Sequence, residues 1–175
     1  MTEGMIHVYC GDGKGKTTAA AGLALRAAGC GKDVVFSRFM KGNESGEIAA
    51  MKQIMGIKIL ENSENYGFYR EMSEEDKKQI TAEHNGILDR ILESIKHREC
   101  DMLIMDEITY AYRFHLIDRE RVDQLVKEKP AALELVLTGR EPDELFLEYA
   151  DYITEMKCIR HPYEKGITAR RGVEY

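Results

Sequence analysis

Apolar residues fall in short runs rich in β-branched side chains, separated by longer stretches where they recur every three or four positions. The runs predict strands over 6–10, 34–39, 57–60, 102–105, 133–137 and 152–156. An Ala-rich helix is expected over 17–28, closed by Gly29 and Gly31. Ser73-Glu74-Glu75-Asp76 has the form of a capping box opening an amphipathic helix to about His97. Its apolar side carries Ile80, His84, Ile87, Leu88, Ile91 and Ile95. A short helix begins at Pro142 and reaches Tyr149. Strands that alternate with helices predict an α/β fold: a mostly parallel sheet of about six strands with helices on both faces. Ligands of such sheets sit at the carboxyl ends of the strands.

A chain of 175 residues fits one domain, 1–175. The net charge of −6 argues against nucleic acid as a partner, because duplex binders carry a basic excess. Cys10, Cys30, Cys100 and Cys158 form no C-x-x-C pair, so neither a disulfide framework nor a zinc site is expected. There is no apolar run of membrane-spanning length and no leader pattern, which predicts a cytoplasmic protein with no membrane partner.

Chemistry enters with Cys10-Gly11-Asp12-Gly13-Lys14-Gly15-Lys16-Thr17-Thr18, directly after the first strand. Glycines let successive backbone N–H groups turn toward one anion, and the following helix adds its positive end to the same place. Lys16 is placed to reach outer phosphates, and the Thr17 hydroxyl to meet Mg²⁺. Cys10 stands where G-x-x-x-x-G-K-[ST] has its first glycine; Gly11 and Gly13 offer compensating freedom. Nucleoside triphosphate binding on a P-loop NTPase-like, RecA-like sheet follows.

The strand at 102–105 ends in Asp106-Glu107, the acidic partner such a loop needs. A carboxylate there can hold Mg²⁺ directly or through water, and Glu107 could instead orient a water. Thr138-Gly139-Arg140 ends the next strand at the same edge, where an arginine can reach phosphate or stack on a base.

Taken together, Gly11 to Ala20 resembles the phosphate loop of the P-loop-type corrinoid adenosyltransferases, the cob(I)alamin adenosyltransferase family. Further similarity follows in order at Phe39-Met40-Lys41-Gly42, Met105-Asp106-Glu107-Ile108, Leu137-Thr138-Gly139-Arg140, residues 150–156, His161 to Ile167 and Ala169 to Glu174. The resemblance covers nearly the whole chain. It implies transfer of the 5′-deoxyadenosyl group of ATP to the Co(I) of a reduced corrinoid, with triphosphate leaving. It also implies ATP bound in reverse relative to most phosphate-loop enzymes, Mg²⁺ (or Mn²⁺), a homodimer and a reduced flavoprotein as electron donor. On this resemblance Lys16, Thr17 and Glu107 are the catalytic candidates, with Thr17 and Glu107 at the metal. Gly11, Asp12, Gly13, Lys14, Gly15, Lys16, Thr17, Thr18 and Arg140 are the candidates for ATP.

Many members carry a G-x-G-F-x-W segment near the corrinoid. The nearest stretch here is Asn65-Tyr66-Gly67-Phe68-Tyr69-Arg70, in a chain without tryptophan. Phe68 and Tyr69 are the candidates for pressing on the corrinoid. Asp12 replaces the usual Asn and would repel triphosphate unless its side chain turns away or is hydrogen-bonded. The tail over 158–175 is basic and lacks periodicity, which suits either a mobile terminus or a cover over the substrates. Two other readings keep the fold: an ATP-hydrolysing or phosphoryl-transferring enzyme, and a binding relative without turnover.

Overall fold

The computed structural model describes residues 3–40 and 45–174. Six strands form one all-parallel sheet: β1 (Ile6–Cys10), β2 (Val34–Arg38), β3 (Ile57–Leu60), β4 (Met102–Asp106), β5 (Glu134–Thr138) and β6 (Tyr152–Glu155). Their order across the sheet is β3-β2-β4-β5-β1-β6. The expected parallel α/β architecture is therefore present, with strand ends shifted by at most one residue. Central β2 and β4 are buried throughout, as continuous apolar runs require when helices cover both faces.

Side-chain alternation divides the core in two. Val34, Phe36, Met102, Ile104 and Val136 face α1 (Lys16–Gly29), whose Ala20, Ala21, Ala24 and Ala27 let the helix lie close to the sheet. A short α2 (Gly46–Met51) adds Ile48 and Met51 to the same side. Val35, Leu103, Met105, Leu135 and Leu137 face the opposite layer. That layer contains α3 (Glu74–Lys96), α4 (Ile108–Arg113), α5 (Arg119–Glu128) and α6 (Glu144–Tyr149). Fully burying a side chain such as Ile87, Leu88 or Ile91 of α3 stabilises the fold by roughly 1.5–3 kcal/mol.

The capping box opens α3 as expected: Ser73 Oγ accepts from Asp76 N–H, and Asp76 accepts from Ser73 N–H. Pro142 lies before its helix, and α6 starts at Glu144 under an Asp143 cap. Helices α2, α4 and α5 were not expected from the sequence.

His84 sits within the apolar stripe of α3 and is fully buried. Its Nε2 accepts from Met40 N–H at 3.3 Å, so the proton lies on Nδ1, which donates to Leu116 O at 2.8 Å. Burial lowers its pKa to about 4. This neutral imidazole ties α3 to the carboxyl end of β2, where Met40 adopts a positive φ of 63°.

Candidate active site

The loop between β1 and α1 lies at the carboxyl edge of the sheet and turns on Gly11 (φ 94°) and Gly15 (φ 113°). Gly13 N–H donates to Met156 O at 2.7 Å. A Cβ at Gly13 would stand 2.6 Å from that carbonyl oxygen, so the glycine admits the chain leaving β6. Cys10 ends β1 with its side chain buried, and the turn closes without a glycine there.

Lys16 is 8% exposed, and its Nζ reaches back over the loop to Gly11 O and Gly13 O, both at 2.7 Å. Thr17 Oγ1 donates to Asp106, at 2.9 Å from Oδ1 and 3.2 Å from Oδ2. Thr138 Oγ1 donates to Asp106 Oδ1 at 2.6 Å while accepting from Glu107 N–H at 3.0 Å. Asp106 is completely buried, so these hydroxyls replace water around its carboxylate. Strand β4 extends through Asp106, and the chain then turns at Glu107 (φ 60°) into α4. The two adjacent carboxylates consequently occupy different surroundings. Asp106 faces Thr17, and Glu107 lines the cavities described next.

A cavity of about 680 Å³ surrounds the loop, with Asp12 through Thr18, Glu47, Glu107 and Arg140 on its walls. A second, of about 360 Å³, is lined by Met40, Gly67, Phe68, Tyr69, Tyr110 and Phe114, together with the same Glu107 and Arg140. Phe68 is 78% exposed. Tyr69 stacks on Phe114 with centroids 4.1 Å apart and planes 4° from parallel, and Tyr110 leans on Phe114 at 5.7 Å. The loop and the aromatic segment, far apart in sequence, thus share a boundary. Arg140 lies on that boundary, and its carbonyl accepts from Gly11 N–H.

The Asp12 carboxylate is hydrogen-bonded to the chain after β6: its Oδ1 accepts from Cys158 N–H at 3.0 Å, and this bond holds its carboxyl below the usual carboxylate range. Lys14 and Thr18 both reach the cavity wall. Lys41 and Gly42 of the similar segment after β2 lie outside the described residues.

Sequence reasoning did not single out Thr138, Tyr110 or Phe114. In Thr138-Gly139-Arg140 the charge marks Arg140, and nothing local marks Thr138 as a partner of Asp106. The aromatic spacing at Tyr110 and Phe114, four apart immediately after the acidic pair, was the available signal for the second cavity.

Oxygen donors of the Thr17 and Asp106 type suit Mg²⁺. No cluster of three His, Cys, Asp or Glu side chains able to hold a metal occurs among the described residues. A metal arriving with triphosphate fits this arrangement, because phosphate oxygens and water complete its shell. Among the described residues no helix is long and apolar enough to cross a membrane.

Among solved structures the chain is similar to EssC (ATPases 2 and 3) from Geobacillus thermodenitrificans, with TM-score 0.54 and 10% identity. The match covers 97% of this chain and 35% of that one, so the chain spans about a third of its length. It is also similar to the KaiC-like protein PH0186 from Pyrococcus horikoshii OT3, with TM-score 0.52 and 16% identity, covering 90% and 74%. At these identities the likeness shows the fold alone. Sequence relatives are nearer. A corrinoid adenosyltransferase of Sinorhizobium sp. is 34% identical, covering 99% of this chain and 81% of its own. That of Escherichia coli (strain K12) is 30% identical, covering 99% and 86%. The family model described as ATP:corrinoid adenosyltransferase BtuR/CobO/CobP matches residues 2–175, and the chain belongs to that family.

Proposed function

We propose that ATP occupies the phosphate-loop cavity, that the reduced corrinoid enters the aromatic cavity, and that the adenosyl group passes between them beside Glu107 and Arg140. The observation that carries this is the boundary itself: two cavities of contrasting character, one ringed by loop amides and cations and one by aromatic rings, meet at those two residues. A hydrolase needs only the first.

The reaction asks for no protein nucleophile. Co(I) of the substrate supplies the electron pair, a Co–C bond forms at the ribose 5′ carbon, and the C5′–O bond breaks with its electrons leaving on triphosphate. The protein's task is to align the two substrates and stabilise the departing charge. In this assignment Gly11, Asp12, Gly13, Lys14, Gly15 and Thr18 shape the loop around the triphosphate. Lys16 exchanges its two carbonyl contacts for phosphate oxygens, which it meets as a point charge. Thr17 and Asp106 would hold Mg²⁺, with Asp106 in the place expected of Glu107 because it is the carboxylate bonded to Thr17, and the ion would supply charge neutralisation to the triphosphate. Glu107 and Arg140 line the path of transfer, with Arg140 toward phosphate. Phe68 and Tyr69 press on the corrinoid face, Tyr69 stiffened by its stack on Phe114.

The working enzyme in this proposal is a cytoplasmic homodimer supplied with electrons by a reduced flavoprotein. A second copy covering edge strand β6 would account for Tyr152 and Ile153, each more than half exposed there. The test is anaerobic incubation with Mg·ATP and chemically reduced cobalamin. A light-sensitive Co–C product with one triphosphate each supports the proposal; ADP and orthophosphate with unchanged corrinoid overturn it.

A further inference from the structure

The segment after β6 returns across the phosphate loop and is fastened at both ends. At its start, Met156 O accepts from Gly13 N–H, and Cys158 N–H donates to Asp12. At its far end, Lys14 Nζ donates to Val173 O at 2.9 Å and to Glu174 Oε1 at 3.2 Å. Glu174 also receives Arg170, from Nε at 3.2 Å, Nη2 at 3.0 Å and the backbone N–H at 2.8 Å. Gly172, Val173, Glu174 and His161 stand in the wall of the phosphate-loop cavity. A carboxylate of the chain's own tail is therefore bound to a cation of the triphosphate site.

We propose that Glu174 is a built-in placeholder for a phosphate group: it holds Lys14 until a polyphosphate enters, then yields, and segment 157–174 loosens from the loop. This rests on the triphosphate assignment above and deepens it to the control of that site.

Four features carry the inference. Glu174 and a phosphate oxygen are both anionic acceptors and compete for the same ammonium. Lys14 is half exposed, and a pair this open is weak, so a more highly charged anion displaces it. The segment has almost no apolar anchoring: from 157 to 174 every described residue but Cys158 is exposed, including Ile159 and Tyr163. Polar contacts alone fasten it, which places it at the low end of local stability. Its charge also favours exchange. It carries Lys157, Arg160, Lys165, Arg170 and Arg171 against Glu164 and Glu174, so a Glu174 turned from Lys14 leaves a cationic strand near the incoming anion. When triphosphate departs, Glu174 is positioned to take Lys14 back and oppose its rebinding.

Inorganic triphosphate with Mg²⁺ is the probe, titrated calorimetrically into the full chain and into Glu174→Gln. Removing the competing charge tightens binding by about fivefold, the upper range for an exposed pair. Trypsin provides a second readout through Arg160 and Lys165: triphosphate speeds cleavage of the wild-type tail and has little effect on the already loosened variant. Equal or weaker binding by Glu174→Gln, or protection of the tail by triphosphate, overturns the placeholder and leaves the phosphate loop intact. Triphosphate binding to neither chain overturns the loop assignment, and the placeholder with it.

Discussion

Thr17 and Asp106, 89 positions apart, are joined by a hydroxyl-to-carboxylate hydrogen bond of 2.9 Å. The first residue pair of the site is thereby set by the fold: α1 begins at the carboxyl edge where β4 ends, with β5 lying between β4 and the strand that leads into α1. Thr138, from β5, completes the support by donating to the same carboxylate. Three successive elements at that edge thus converge on one buried charge.

Replacing Asp106 with Asn keeps the volume and leaves an acceptor for one hydroxyl, so the fold should survive with a loss of about 1 kcal/mol. Turnover should fall by roughly 10²-fold or more, because the charge facing Thr17 is gone. Steady-state rates and a thermal melt measured together check this. Normal turnover would remove Asp106 from the site.

For Lys16→Ala we expect turnover to drop by about 10²–10³-fold, the scale of losing a charged donor to a developing anion. The loop loses two Nζ–carbonyl contacts as well, so triphosphate binding should be measured alongside the rate. A variant that turns over near the wild-type rate contradicts the role given to this lysine.

Phe68→Ala acts on the other substrate. With its ring 78% exposed, truncation should leave the melting temperature and ATP affinity near wild type while slowing transfer to cobalt. The corrinoid KM and the single-turnover rate are the readouts. A collapse of ATP affinity would move Phe68 into the nucleotide site.

His84 gives a pH signature in stability. Its folded pKa, about 4, lies below the ordinary 6.5, so the unfolded chain binds the proton more tightly. Its contribution is complete above about pH 6.5 and is lost as pH falls toward 4, on the order of 3 kcal/mol in all. Denaturant melts at pH 7 and pH 4.5 should show a smaller pH loss for His84→Gln than for wild type. Equal losses would mean that the imidazole is not held neutral.

Much of this was legible because it rests on local patterns. Runs of β-branched residues marked every strand, Ser73 and Asp76 marked the start of α3, and Gly-Lys-Thr marked the loop. The short helices were hidden for physical reasons. Helix α4 occupies six residues after a positive-φ turn at Glu107, too few to establish a period. Helix α5 carries Val122, Leu125 and Val126 at helical spacing beneath a dense charged surface, with Asp118 as cap. That pattern is a readable helix signal. The division of labour between Asp106 and Glu107 was not readable, because it depends on the residue at which β4 stops. Asp12 was legible as a difficulty, and its solution lay 146 positions away at Cys158. The tail shows no periodicity because hydrogen bonds to the loop, rather than an apolar face, hold it.

The meeting of the two cavities at Glu107 and Arg140 is tested most directly by the anaerobic reaction of this chain with Mg·ATP and chemically reduced cobalamin, following the corrinoid spectrum and phosphate products together. A light-sensitive alkylcobalt spectrum appearing in step with one triphosphate per corrinoid is the predicted result. An unchanged corrinoid spectrum accompanied by ADP and orthophosphate would contradict it.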